Sequence, residues 1–311
     1  MQELSISESI ITTFHWLEEG IYWRRRCEAH YPGTDRARHG HSWKRMCVEQ
    51  TIASHMETFR PQESDLADLK ELCEAVGRLV VMLELQQLIS PTLMVPAGRA
   101  LQSSSSPQPA SPSSTPVSGL SRASSPECLD LGPQEIDMVS PANHLDFATI
   151  LPLFPNLEKL ILCFQTKNCG VDFRWNMFGL TEKDADNIAT GISSCPKLAV
   201  ISVRNSKVTD TLLYDVMGGI DKLTHIAHLD FPNNALTDEC IDVLTKVMMN
   251  KKIRILNLSN NKIGNEGAKN LAIFIANKKS SLEDLNLSLN LIEDDGGITL
   301  LKVFLLSISV E

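Results

Sequence analysis

Cys27, His30, His39, His41 and Cys47 place five potential metal ligands within 21 positions. Four such thiolates and imidazoles suffice for a tetrahedral zinc site, which would hold a small module together. The spacing, Cys27-x2-His30 followed by His39-x-His41 and Cys47, matches no standard finger or ribbon. His39 and His41 share a side only if the chain there is an extended strand. The same stretch supports a second, plainer chemistry. Trp43 with Lys44 and Arg45, beside His41, and upstream Tyr22 and Trp23 with Arg24 and Arg25, combine aromatic anchors with a basic rim. From Trp23 to Arg45 the cations Arg24, Arg25, Arg26, Arg36, Arg38, Lys44 and Arg45 face only Glu28 and Asp35. That excess is either a solvated basic face or a surface for an acidic partner. The spacing favours docking over metal, so no metal and no cofactor are expected.

Catalytic arrangements are missing from the rest of the chain. It contains no Gly-rich phosphate loop, no HExxH and no GxSxG. The net charge of −9 gives no general reason to expect nucleic-acid binding. Eight cysteines lie scattered without CxxC spacing, as expected of reduced, mostly buried thiols in a cytosolic protein. The start, MQELSISESIITTF, lacks a basic secretory signal, and the apolar run Val303 to Leu306 is far short of a bilayer span, so no membrane contact is expected.

Composition divides the chain into three. Residues 1–100 are expected to form a helical, aromatic and basic docking region. Ser64-Asp65 caps a helix with apolar positions Leu66, Leu69, Leu72, Val76, Leu79, Val80 and Leu83 on one face, and Ile10, Ile11, Phe14 and Leu17 suggest a shorter one. Residues 101–140 form a Ser/Pro-rich linker with almost nothing to bury, expected to be disordered, with Ser-Pro and Thr-Pro steps open to phosphorylation.

Residues 141–311 repeat. LAVISVRNSKV from Leu198, IAHLDFPNNAL from Ile226, IRILNLSNNKI from Ile253 and LEDLNLSLNLI from Leu282 begin 28, 27 and 29 residues apart. Each fits L-x-x-L-x-L-x-x-N-x-L, and the period leaves room for a full helix per unit. A fifth copy starts at Leu157 and carries an insertion. The expected fold is an α/β, ribonuclease-inhibitor-like leucine-rich-repeat solenoid, with parallel strands on the concave face and helices on the convex face. Asn234, Asn261 and Asn290 are placed to form a structural ladder through their amides, broken at Ser206 and Phe178. Thr209-Asp210, Thr237-Asp238, Asn265-Glu266 and Asp294-Asp295 are helix-start signals. The concave face should be small and polar, with Arg204, His228 and Asp230 as its candidate partner contacts. The apolar last helix, VFLLSISV, implies an end that a partner covers or that belongs to a longer array.

Several stretches together resemble one family: IYWRRRCEA and GHSWKRM, HLDFATILPLFPNLEKL, NCGVDFRWNMF, and LNLSLNLIEDDGG. They are similar to the leucine-rich-repeat subunit of the axonemal nexin–dynein regulatory complex, the t-complex-associated testis-expressed protein 1 family. The resemblance implies a non-enzymatic scaffold in the axoneme of motile cilia and sperm flagella. Its partners would be other subunits of that complex and doublet-microtubule or dynein components. This chain has fewer C-terminal repeats than the family. The alternative is a cytosolic repeat adaptor or a Ran-type GTPase activator, in which Arg204 would be the candidate for stabilising phosphoryl charge. A repeat sensor of innate immunity would need a Walker A sequence, which the chain does not contain.

The insertion TKNCGVDFRWNMFGL concentrates Phe173, Trp175 and Phe178 within six residues. They either seal the N-terminal end of the core or offer Phe173 and Trp175 to a partner. The metal question has a direct check. Metal analysis of the purified chain should find zinc well below one equivalent, and a stoichiometric ion would restore the zinc module.

Overall fold

A computed structural model describes residues 17–59, 66–88, 144–165, 179–277 and 280–308. The Ile10–Phe14 helix, the Ser/Pro linker and the insertion with Phe173, Trp175 and Phe178 lie outside these residues. Every repeat contributes a short strand, because alternating side chains can then send one apolar set into the core. Among the described residues the five repeats give β2 (Lys159–Cys163), β3 (Val200–Arg204), β4 (His228–Asp230), β5 (Ile255–Asn257) and β6 (Asp284–Asn286), and the N-terminal region adds β1 (Met82–Leu85). They form one parallel sheet in chain order. The register stacks Leu83, Leu160, Ile201, Leu229, Leu256 and Leu285 into a single inward row. The outward rows run Met82-Lys159-Val200-His228-Ile255-Asp284 and Glu84-Ile161-Ser202-Asp230-Asn257-Asn286. The solenoid read from the repeat period is therefore the fold.

Among the described residues three α-helices precede the sheet: α1 (Ile21–His30), α2 (Trp43–Glu57) and α3 (Leu66–Val76). Behind the strands lie the short α4 (Phe147–Ile150), then α5 (Glu182–Ile192), α6 (Asp210–Ile220), α7 (Cys240–Met248), α8 (Asn265–Ile275) and α9 (Asp294–Ile308). Where helices nearly touch, a glycine makes room. A Cβ at Gly219 would stand 2.6 Å from the Ala189 Cα, so α6 lies directly on α5.

The helix expected to run on through Leu83 stops at Val76. Gly77 lies against the Leu153 backbone with no space for a side chain, and a 3-10 turn, Gly77–Leu79, swings the chain into β1. Leu83, read as helix face by its spacing, is a fully buried strand residue paired with Leu160, and the equally buried Leu85 pairs with Leu162. One apolar core runs from Trp23 through the helices and the array to Phe274. The N-terminal helices thus share their core with the repeats.

They also close the sheet. The outer edge of β1 would otherwise leave backbone donors unpaired. Glu49 of α2, 2% exposed, accepts from the Val81 and Met82 N–H groups at 2.7 and 2.8 Å, and its second oxygen meets His39 Nδ1 at 2.5 Å. Glu57 takes the Gln86 N–H at 2.6 Å, and Arg38 pairs with Glu84 at 2.6 Å. A carboxylate in so little solvent holds only because its lone pairs are met by donors. Glu49→Ala should therefore cost about 3–5 kcal/mol in urea denaturation, since two buried N–H groups and His39 lose their partner together.

Candidate interaction surfaces

The turn after each of β3, β4, β5 and β6 obeys a rule set by two adjacent positions. The first, at Asn205, Asn233, Asn260 and Leu289, has φ of 52°, 56°, 52° and 60°. Asparagine tolerates this left-handed geometry better than most side chains. The second carries the ladder. Asn234 Oδ1 accepts from Ser206 N and Val208 N, both at 3.1 Å, and its Nδ2 donates to Val203 O at 2.8 Å. Asn261 accepts from Leu236 N at 3.1 Å and donates to Phe231 O at 2.9 Å, and Asn290 repeats this with Ile263 N at 3.0 Å and Leu258 O at 2.8 Å. All three amides bond backbone groups of a neighbouring coil. Ser206 corrects the expectation of a break: its hydroxyl accepts from Phe164 N at 2.9 Å and donates to Arg204 O at 2.7 Å.

A second ladder was not anticipated. The helix-start pairs divide: Thr209 caps its own helix, its hydroxyl accepting from Leu212 N, whereas Asp210, Asp238 and Asn265, which recur at one position of the repeat, are not the caps of theirs. Instead each reaches the next coil. Asp210 accepts from Thr237 N at 2.9 Å, Asp238 from Gly264 N at 2.6 Å, and Asn265 from Glu293 N at 2.9 Å. Gly267 and Gly296 leave the space these side chains need, since a Cβ there would meet Asp238 Oδ1 at 2.5 Å or Asn265 Oδ1 at 2.7 Å. The signal was in the sequence, as an oxygen-bearing residue repeating with the period. Periodicity alone could not tell a cap from a cross-coil acceptor.

The concave face is small and polar, and the charges at its centre are spent on one another. Asp230, 7% exposed, accepts from Ser202 Oγ at 2.5 Å, Arg204 at 2.9 Å and Asn257 Nδ2 at 2.7 Å. Arg204 also donates to Ser202 Oγ at 3.1 Å. Arg204 and Asp230 are thus the two ends of a bridge across β3 and β4, and Asp230 has little surface left to offer a partner. Burial pushes the His228 imidazole below its ordinary pKa, against the pull of Asp230 and Asp284, so it stays neutral near neutrality.

The five metal-type ligands part company. Cys27 is buried and donates to Trp43 O at 3.2 Å, with its pKa pushed up by a hydrogen bond with Cys47 and by burial. His39 is taken by Glu49, while His30 and His41 are exposed. Among the described residues no three His, Cys, Asp or Glu side chains gather as a metal site.

The aromatic and basic surface needs one correction and one addition. Trp23 is 0% exposed, a core residue whose indole donates to Leu17 O at 3.4 Å. It faces inward because α1 turns this position, with Cys27 four residues on, toward α2. Lys44 donates to Leu17 O at 2.8 Å and lies 5.9 Å from the Trp23 ring. What faces solvent is Ile21, Tyr22, Arg24, Arg25 and His41 around a half-buried Trp43. Arg36, counted in the sequence only among the cations of the basic stretch, stacks on Trp43 at 5.1 Å, with Arg24 at 5.9 Å. Arg45 turns toward Gly40, and its backbone N–H is capped by Ser42 Oγ at 3.0 Å. Glu19 holds the start of α2 by accepting from Trp43 N at 2.6 Å, Lys44 N at 3.1 Å and Ser42 Oγ at 2.7 Å. Burial would raise this carboxyl, but those hydrogen bonds together with Arg36 hold it below its ordinary range.

A leucine-rich-repeat family model matches residues 250–272 and 278–301. Dynein regulatory complex subunit 5 of Macaca fascicularis is 28% identical over 238 residues, covering 76% of this chain and 42% of that protein. The Homo sapiens protein of that name is 28% identical over 239 residues, with the same shares of 76% and 42%. The Chlamydomonas reinhardtii protein is 24% identical over 190 residues, 61% of this chain and 35% of its own length. The chain thus spans about two fifths of the length of its mammalian relatives. The resemblance read from the aromatic-basic segment and the repeats is borne out by these proteins. The solved structure of leiomodin-1 actin-binding site 2 aligns with 42% of this chain and 75% of its own at 12% identity, with a TM-score of 0.35, too low to carry weight.

The turn rule yields a test. Leu289 breaks the asparagine series, holding a branched side chain at φ 60° while 76% exposed. Leu289→Asn should raise stability by about 1 kcal/mol, the approximate cost of placing an ordinary L-residue in the left-handed region. A lower melting temperature for this variant would contradict the strain.

Proposed function

We propose that this chain is a non-enzymatic scaffold subunit of the axonemal nexin–dynein regulatory complex. It would support dynein regulation, and so the motility of cilia and flagella. The similarity to dynein regulatory complex subunit 5 carries the reading, because 238 aligned residues reach far beyond the two repeats that match the general repeat model. Ordinary repeat proteins share the strand pattern alone. Its partners are then other subunits of the complex, with doublet-microtubule or dynein components beside them. Among the described residues no helix is long and apolar enough to cross a bilayer.

A scaffold uses its fold to hold surfaces at fixed spacing, and a solenoid with two cross-coil ladders suits that task. The Ran-type alternative needs an arginine free to enter a phosphoryl site. Arg204 is bridged to Asp230 at 2.9 Å, which argues against that use. A tagged copy in ciliated cells should remain with the axoneme after detergent extraction and co-purify with the other subunits of the complex. A diffuse signal absent from purified axonemes would overturn the proposal.

A further inference from the structure

We infer that the cavity between the start of α1 and the start of α2 is a docking site for an acidic segment of a partner protein, which inserts one apolar side chain. It goes beyond the scaffold role and does not depend on it, since it rests on the chemistry of one surface.

The cavity, about 380 Å³, is lined by Glu19, Gly20, Ile21, Arg24, Arg36, His41 and Trp43. Its apolar content is local and exposed: Ile21 is 68% exposed at the rim, and the Trp43 indole forms a wall. An isoleucine left in water beside an indole presents area that a second apolar side chain would cover. The Trp43 ring is set by stacked guanidiniums and by the capped start of α2, so the concavity exists before any partner arrives.

The surrounding charge selects the partner. Among the described residues Arg25 and Arg36 have no carboxylate at ion-pair distance, and Arg24 pairs only with Glu28, at 2.8 Å with both side chains more than half exposed. Such a surface pair is readily exchanged for a better one. Glu19, the one carboxylate lining the cavity, is turned to the backbone N–H groups of α2 and to Ser42. The cationic rim is therefore only partly neutralised from within the chain, and an acidic segment complements it. A nucleic acid would need an open aromatic face for stacking, and guanidiniums lie over the Trp43 ring. A bilayer surface would need a broad apolar face, whereas Ile21 and Tyr22 are the exposed large hydrophobics of α1.

The test uses the purified full chain and fluorescently labelled synthetic peptides. One is glutamate-rich with a central phenylalanine, one replaces that phenylalanine by glycine, and one replaces the glutamates by lysine. The first should bind and weaken with added salt, the glycine peptide should bind about tenfold more weakly, and the lysine peptide should not bind. Arg36→Glu should lower affinity for the first peptide about tenfold or more. Ile21→Ser should shrink the difference between the phenylalanine and glycine peptides. Both replaced side chains lie outside the fully buried core, and unchanged melting curves would show that each variant folds. If either variant fails to fold, Arg25→Glu supplies the charge test. Equal binding of the phenylalanine and glycine peptides would overturn the inference. So would indifference to Arg36→Glu, no binding, or tighter binding to phosphatidylserine vesicles or single-stranded DNA. The assay contains no other axonemal protein, so its failure would leave the scaffold proposal untouched, and the reverse holds.

Discussion

The sheet depends on how its first edge is closed. A stack of parallel strands always ends in a row of unpaired backbone groups, and each further coil only moves the problem along. Here Glu49 ends it with one carboxylate, accepting from Val81 N and Met82 N while His39 braces the other oxygen. Placing that carboxylate requires α2 against β1, which in turn requires the turn at Gly77 and the core around Trp23, Cys27 and Cys47. The N-terminal helices are therefore the first coil's missing neighbour in another form.

From that edge the array propagates by repetition. Two ladders of side-chain oxygens run along it, one of Ser206, Asn234, Asn261 and Asn290 on the turn side and one of Asp210, Asp238 and Asn265 at the helix starts. Each satisfies backbone donors of a neighbouring coil, so register is fixed at two points per repeat. The inward leucines supply most of the driving force through burial, while the ladders prevent the coils from sliding. The centre of the concave face is left self-satisfied, with Asp230 drawing Ser202, Arg204 and Asn257 to itself.

This distribution shapes where recognition is to be sought. A surface whose charges are mutually bonded has little to gain from a partner, because every new contact first breaks an existing one. The unspent chemistry lies off the repeats, around Trp43, where arginines outnumber the carboxylates that meet them. Glu19 contributes by occupying the start of α2, which sets the Trp43 ring and leaves the cations on the rim only partly answered. Support for the sheet and display of the basic surface are duties of the same helix: Trp43 begins α2, and Glu49 lies within it.

The sequence by itself determined the repeat, its period, the inward leucines and the amide ladder, because each is a local pattern returning at constant spacing. It also carried the resemblance to the dynein regulatory subunit. It did not reveal that Met82–Leu85 is a strand, since a short apolar run reads equally well as the end of a helix until β2 offers it a partner. Nor did it separate Trp23 from Trp43. Both are tryptophans among arginines, and only the packing of α1 on α2 buries the first while leaving the second to line a cavity. The sequence placed Arg36 among the cations but could not pair it with Trp43, because the two meet through a 3-10 turn and not through spacing along one element. Local periodicity is written along the chain. Which side of a helix meets a neighbour, and which strand ends a sheet, are settled only when distant segments compete for the same core.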